Sequence, residues 1–207
     1  MNYKLIIFDM DGTLVQSEDC ASQAMIDVIP ALSGTASEVT ARYRGMRLLD
    51  IFEDIEKRFP GAVPDNCWDL YRVREEYLSA SMITASVGAE SMLSQLGIEK
   101  CIASNAPVEK TRRSLEGCGL SRFFPSGIFS AYEVQAWKPD PKLFEFAASS
   151  YSVKPTNCLV VEDSAVGIQA AKAAGMDCVF YDPHELSEPS NDYPTIRRLV
   201  DLIALLE

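Results

Sequence analysis

Five short apolar runs punctuate the chain: Leu5-Ile6-Ile7-Phe8, Lys100-Cys101-Ile102-Ala103, Gly127-Ile128-Phe129-Ser130, Cys158-Leu159-Val160-Val161 and Cys178-Val179-Phe180-Tyr181. Runs this short, with no alternating polar face, predict strands covered on both sides, as in a parallel sheet. Between the first and second runs the pattern is helical. Ala21, Ala24, Met25, Val28 and Ile29 mark a helix over 18–30, a second follows Ser37 and ends near Gly45, a third spans 48–59 and a fourth 68–82. Pro30, Gly34, Pro60-Gly61 and Pro64 separate them, since proline and glycine interrupt helical hydrogen bonding. Beyond this stretch, helices over 90–96, 108–118, 141–151, 164–174 and 195–206 alternate with the strands, and 183–194 is a loose connection. The pattern predicts an α/β protein: a Rossmann-like parallel sheet core from 1–15 and 86–207, with a small all-helical domain, 16–85, inserted after the first strand.

The polar residues that close the apolar runs carry the chemistry. Parallel α/β sheets bind ligands beyond the carboxyl ends of their strands. Asp9 and Asp11 follow the first strand, Ser104-Asn105 the second and Glu162-Asp163 the fourth, and Lys138 leads the Pro139-Asp140-Pro141 loop into a helix. Two carboxylates as close as Asp9 and Asp11 repel unless a cation lies between them or one is protonated. A single strand-end acid is commonly a turn former or helix cap. Three such ends with a lysine instead suggest one pocket, in which carboxylates and main-chain carbonyls suit a hard cation such as Mg²⁺. Lys138 and Ser104 add a positive charge and a hydroxyl, as binding a tetrahedral dianion requires. Phosphoryl transfer uses such a set, and a carboxylate can serve as its nucleophile.

Composition narrows the partners. Nineteen Lys and Arg face 30 Asp and Glu, a net charge of -11 that argues against binding nucleic acid or an anionic membrane. The six cysteines form no Cys-x-x-Cys pair, which argues against a zinc site and for a reducing, cytoplasmic setting. The first apolar run is too short for a secretory signal, and no run is long enough to span a bilayer. A small phosphorylated metabolite is the expected partner, handled by a monomer or weak homodimer.

Asp9-Met10-Asp11-Gly12-Thr13, Ser104-Asn105, Lys138 with Pro139-Asp140-Pro141, and Glu162-Asp163-Ser164 occur in an order that resembles the haloacid dehalogenase superfamily, in the branch with a helical cap after the first strand. The resemblance covers essentially the whole chain. It implies that Asp9 is the nucleophile and a Mg²⁺ ligand, and that Asp11 is general acid and then base, with its carbonyl on the metal. It further implies that Ser104 and Asn105 bind phosphate, that Lys138 stabilises the charge on Asp9 and the phosphoryl group, and that Asp163 completes the metal site with Glu162 bound directly or through water. Ser164 reads as a helix N-cap and Asp140 as a turn or cap residue.

Two departures from the family pattern concern the cap. Gln16 stands where aspartate is frequent, and Ala21 stands where sugar-phosphate mutases of this branch carry a histidine; the chain's one histidine is His184. Hydrolysis is therefore expected over mutase chemistry. Arg44-Gly45-Met46-Arg47 and the stretch from Phe129 to Lys138 resemble bacterial phosphatases acting on 6-phosphogluconate and similar phosphosugars, which makes Arg44 and Arg47 candidate substrate ligands. A phospho-aspartate receiver module is the alternative from another class, but receivers lack a helical insert and carry their aspartate well into the chain.

Overall fold

A computed structural model describes residues 3–43, 46–185 and 192–206. The chain forms two compact units, one of residues 1–15 with 85–207 and one of residues 16–84. After β1 (Leu5–Phe8) it leaves the first unit through β2 (Val15–Gln16). It then runs through α1 (Glu18–Val28), α2 (Ala36–Tyr43), α3 (Leu48–Arg58) and α4 (Cys67–Met82) and returns through β3 (Thr84–Ala85). Helix α5 (Ala89–Gln95), β4 (Glu99–Ser104), α6 (Val108–Gly117), β5 (Ile128–Ser130), α7 (Ala131–Val134) and α8 (Lys142–Ser150) follow. The chain closes with β6 (Cys158–Glu162), α9 (Ala165–Ala173), β7 (Asp177–Tyr181), β8 (Thr195–Ile196) and α10 (Asp201–Leu206).

The core unit is built on a six-stranded sheet in the order β5-β4-β1-β6-β7-β8, parallel throughout. β1 lies between β4 and β6, with Phe8 in register with Ile102 on one side and Val161 on the other. The strand order reverses direction at β1, so the crevice beyond its carboxyl end is a topological switch point, where such sheets bind ligands. Both faces are covered, which explains the unbroken apolar runs. Leu5, Ile7, Cys101, Ala103, Cys158 and Val160 pack with Leu143, Phe144 and Ala147 of α8 and Ile168, Ala170 and Ala171 of α9. Alternate residues face the other way, and the ring of Phe8 meets Phe124 edge-on at 6.3 Å.

The helical unit has its own core, in which Ala24, Met25, Val39, Tyr43, Ile51, Phe52, Ile55 and Tyr71 pack together. α3 shows why: Ile51, Phe52 and Ile55 recur at helical spacing and are buried, while Glu53, Asp54, Lys57 and Arg58 lie off that stripe. Among the described residues, no helix is long and apolar enough to cross a membrane.

The carboxyl-terminal segment corrects one expectation. Residues 195–206 are not a single helix: Thr195–Ile196 adds an edge strand, and α10 starts only at Asp201. The open main-chain groups of β7 decide this. Phe180 N–H donates to the Pro194 carbonyl at 2.9 Å and Asp182 N–H to the Ile196 carbonyl at 3.0 Å, and Arg197 pairs with buried Asp182 at 2.7 Å. Ile196, Leu199, Val200 and Ile203 keep helical spacing in sequence, but pairing with the sheet takes the first of them. Residues 186–191 of the loose connection lie outside the described residues.

Ile7 is fully buried on the central strand. Ile7→Ala should lower stability by about 3 kcal/mol, since the rigid sheet leaves a cavity; urea unfolding followed by far-UV circular dichroism checks this.

Candidate active site

Three strand ends and one loop converge at the carboxyl edge of the sheet. Asp9 leaves β1 with its N–H still bound to the Val161 carbonyl of β6 at 2.9 Å, so the sheet itself sets its height. The chain then turns tightly: the N–H groups of Leu14 and Val15 both reach the Met10 carbonyl at 3.0 Å, and Gly12 N–H reaches the Val15 carbonyl at 2.8 Å. Gly12 adopts φ +87°, and a Cβ there would lie 2.3 Å from Asp163 Oδ2. Only glycine allows both the turn and the close approach of that carboxylate. Thr13 Oγ1 donates to Asp163 Oδ1 at 2.9 Å and ties the end of β6 to the same turn.

Lys138 is the hub. Its ammonium is buried and donates both to Asp9 Oδ1 and, at 2.7 Å, to Glu162 Oε1. The ring of Phe144 lies 5.0 Å beneath the ammonium. Burial alone would favour neutral lysine, but the two carboxylates overrule it and raise its pKa. Burial pushes the Asp9 carboxyl up to about 8; Lys138 opposes the shift, while Glu162 and Asp11 add to it. Main-chain bonds hold the lysine in place: its N–H donates to Asn105 Oδ1 at 3.0 Å, which joins the loop after β4 to the loop before α8. Ser104, buried at the end of β4, accepts the Ala106 N–H on Oγ at 3.0 Å.

Both carboxylate oxygens of Glu162 are engaged by protein donors. Oε1 accepts from Lys138, and Oε2 accepts the N–H and hydroxyl of Ser164 at 2.7 and 2.8 Å. Successive residues at a strand end point to opposite sides, so Glu162 turns under the first turn of α9 while Asp163 faces the Gly12 turn. Gly167 makes room for it, since a Cβ there would lie 1.8 Å from Glu162 Oε1. Ser164 caps α9 by accepting the Gly167 N–H, as its sequence position suggested.

Among the described residues, no three or more His, Cys, Asp or Glu side chains gather into a metal cage. The donors at the Gly12 turn are instead the carboxylates of Asp9 and Asp163 with nearby main-chain carbonyls. That set fits Mg²⁺, which is held by one or two carboxylates together with water and substrate phosphate. It does not fit a soft metal that prefers sulfur and imidazole. The raised Asp9 carboxyl is also a group that a divalent cation would return to its charged form.

The core unit thus gathers Asp9, Asp11, Ser104, Asn105, Lys138, Glu162 and Asp163. Arg47 belongs to the helical unit, at the start of α3, where its Nε lies 3.9 Å from Asp50. Arg44 lies outside the described residues. Two neighbours escape a reading of the sequence. Lys110, on the first turn of α6, places Nζ 3.9 Å from Asp11 Oδ1. Ser130 donates to the Ala106 carbonyl at 2.7 Å and forms a capping box with Glu133 that starts α7. The Ser-x-x-Glu spacing at 130–133 carried that signal; nothing in the sequence near Lys110 did.

A sheet switch point with a lysine-held carboxylate just past its central strand has the parts that phosphoryl transfer uses. The family model described as haloacid dehalogenase-like hydrolase matches residues 3–175, and the chain belongs to that family. A 6-phosphogluconate phosphatase of Escherichia coli is 33% identical over 184 residues, covering 86% of this chain and 83% of that protein. A haloacid dehalogenase-like protein of unknown function from Agrobacterium tumefaciens superposes with a TM-score of 0.86 at 29% identity, covering 99% of this chain and 97% of that one. A hydrolase of the same family from Deinococcus radiodurans, solved with bound phosphate and sodium, superposes with a TM-score of 0.80 at 25% identity over 99% and 95% of the two chains.

Alanine for glycine inside a helix ordinarily stabilises by about 1 kcal/mol. Gly167→Ala should do the reverse and destabilise by about 1–3 kcal/mol, because the new methyl displaces Glu162 from Lys138. Thermal and urea unfolding measure the sign.

Proposed function

We propose that the chain is a Mg²⁺-dependent phosphomonoesterase acting on a small phosphorylated sugar or sugar acid, with 6-phosphogluconate as the leading candidate. The observation that carries this is the buried Lys138 joining Asp9 to Glu162, beside an Asp163 that touches the Gly12 turn. A carboxylate oxygen of Asp9 attacks phosphorus; the Asp9–phosphorus bond forms as the bond to the substrate's bridging oxygen breaks. Asp11 gives its proton to that oxygen as the alcohol leaves. The Asp11 carboxylate then takes a proton from water, which attacks the aspartyl-phosphate and frees inorganic phosphate. Ser104 and Asn105 bind the phosphoryl oxygens, and Lys138 balances the charge on Asp9 and the transferring group.

The carboxylates of Asp9 and Asp163 and the Asp11 carbonyl would hold Mg²⁺, which when bound neutralises charge on the phosphoryl oxygens. Glu162 then serves as a positioning residue for Lys138. Hydrolysis is favoured over mutase chemistry because the single histidine, His184, belongs to the core unit and not to the helical one. Arg44 and Arg47 are proposed substrate ligands from the helical unit, and their guanidinium groups suit an anionic substrate.

Phosphate release across a panel of phosphosugars tests the reading. Activity should require added Mg²⁺ and disappear with a chelator. Asp9→Asn should lower kcat at least about a thousand-fold, because an amide cannot attack phosphorus as the carboxylate does; retention of full activity refutes the assignment. Arg47→Ala should raise KM for the sugar phosphate several-fold more than for p-nitrophenyl phosphate; an equal change on both removes Arg47 from substrate selection.

A further inference from the structure

The site carries four carboxylates, Asp9, Asp11, Glu162 and Asp163, and the lysine at its centre is engaged by two of them. Lys110 is placed differently. It is the third residue of α6, the helix that begins just beyond the Ser104-Asn105 loop. Thr111, Ser114 and Leu115 bury one face of that helix, and Lys110, next to Thr111, is half-buried. Its ammonium stands 3.9 Å from Asp11 Oδ1, with the two side chains 22% and 28% exposed, against 2% for Lys138. Lys110 therefore lies toward solvent beside Asp11, whereas Lys138 lies inside beside Asp9.

We infer that Lys110 is a specificity-determining residue that receives an anionic substituent, a carboxylate, on the part of the substrate that leaves. This rests on the reading of Asp9 as nucleophile and Asp11 as acid. To pass its proton, Asp11 must come within hydrogen-bond distance of the bridging oxygen. A cation 3.9 Å from Asp11 then lies within about 7 Å of that oxygen, taking the ion-pair distance plus one hydrogen bond. That reach matches a carboxylate carried a few carbons from the phosphoester. Carboxylates outnumber lysines in the pocket, and a lysine on the leaving-group side offsets their field where a substrate carboxylate must sit. A neutral sugar phosphate has no group that needs it.

The test compares wild type, Lys110→Met and Lys110→Arg on 6-phosphogluconate and glucose 6-phosphate, with saturating Mg²⁺. One charge-assisted contact contributes about ten-fold in affinity. Lys110→Met should therefore lower the ratio of kcat/KM for 6-phosphogluconate over glucose 6-phosphate by about ten-fold, through KM. Lys110→Arg should restore most of it. The inference is overturned if Lys110→Met leaves that ratio unchanged, whether both substrates lose equally in KM, as for a phosphate clamp, or equally in kcat, as for a prop of Asp11. It is also overturned if wild type uses glucose 6-phosphate and not 6-phosphogluconate. Failure of wild type on every phosphate ester would instead refute the underlying phosphatase reading.

Discussion

A buried ammonium between two buried carboxylates is the constraint on which the rest of the site depends. Lys138 cannot stay charged in the interior without Asp9 and Glu162, and neither acid tolerates burial without Lys138. The three residues come from different parts of the chain, so their contact locks β1, β6 and the loop before α8 at one height. Removing the lysine leaves two buried carboxylates without their cation, which is far worse than losing a surface ion pair, whereas removing either acid leaves the lysine one partner. The Asn105 bond to the Lys138 main chain extends the lock to β4.

The neighbouring glycines show how closely the arrangement is packed. Gly12 and Gly167 both stand where a methyl group would strike a site carboxylate, Asp163 in one case and Glu162 in the other. The adjacent acids Glu162 and Asp163 are thereby directed apart, one toward the lysine and one toward the Gly12 turn. The result is a donor set with few carboxylates, which suits an ion that keeps water and shares its shell with phosphate.

Charge is graded from the interior outward. Lys138 neutralises the acids at the bottom of the site, and Lys110 stands beside Asp11 where solvent reaches. In a chain of net charge -11, anionic ligands gain from such local cations more than from the overall field, which repels them.

The sheet and the helical insert were legible in the sequence because each follows from local patterning. A strand buried on both faces must be apolar throughout, as 5–8 and 158–161 are, and a helix with one buried stripe must repeat every three to four residues, as 48–59 does. The placement of Asp9, Ser104 and Glu162 at strand ends was legible for the same reason. Local pattern could not decide the segment at 195–196, whose spacing fits a helix but whose main chain pairs with the open edge of β7. Nor could it show that Glu162 turns toward Lys138 and Ser164 while Asp163 faces Gly12, or that Lys110 stands beside Asp11. Those facts depend on contacts between segments as far apart in the chain as Gly12 and Asp163, and only the assembled sheet brings them together.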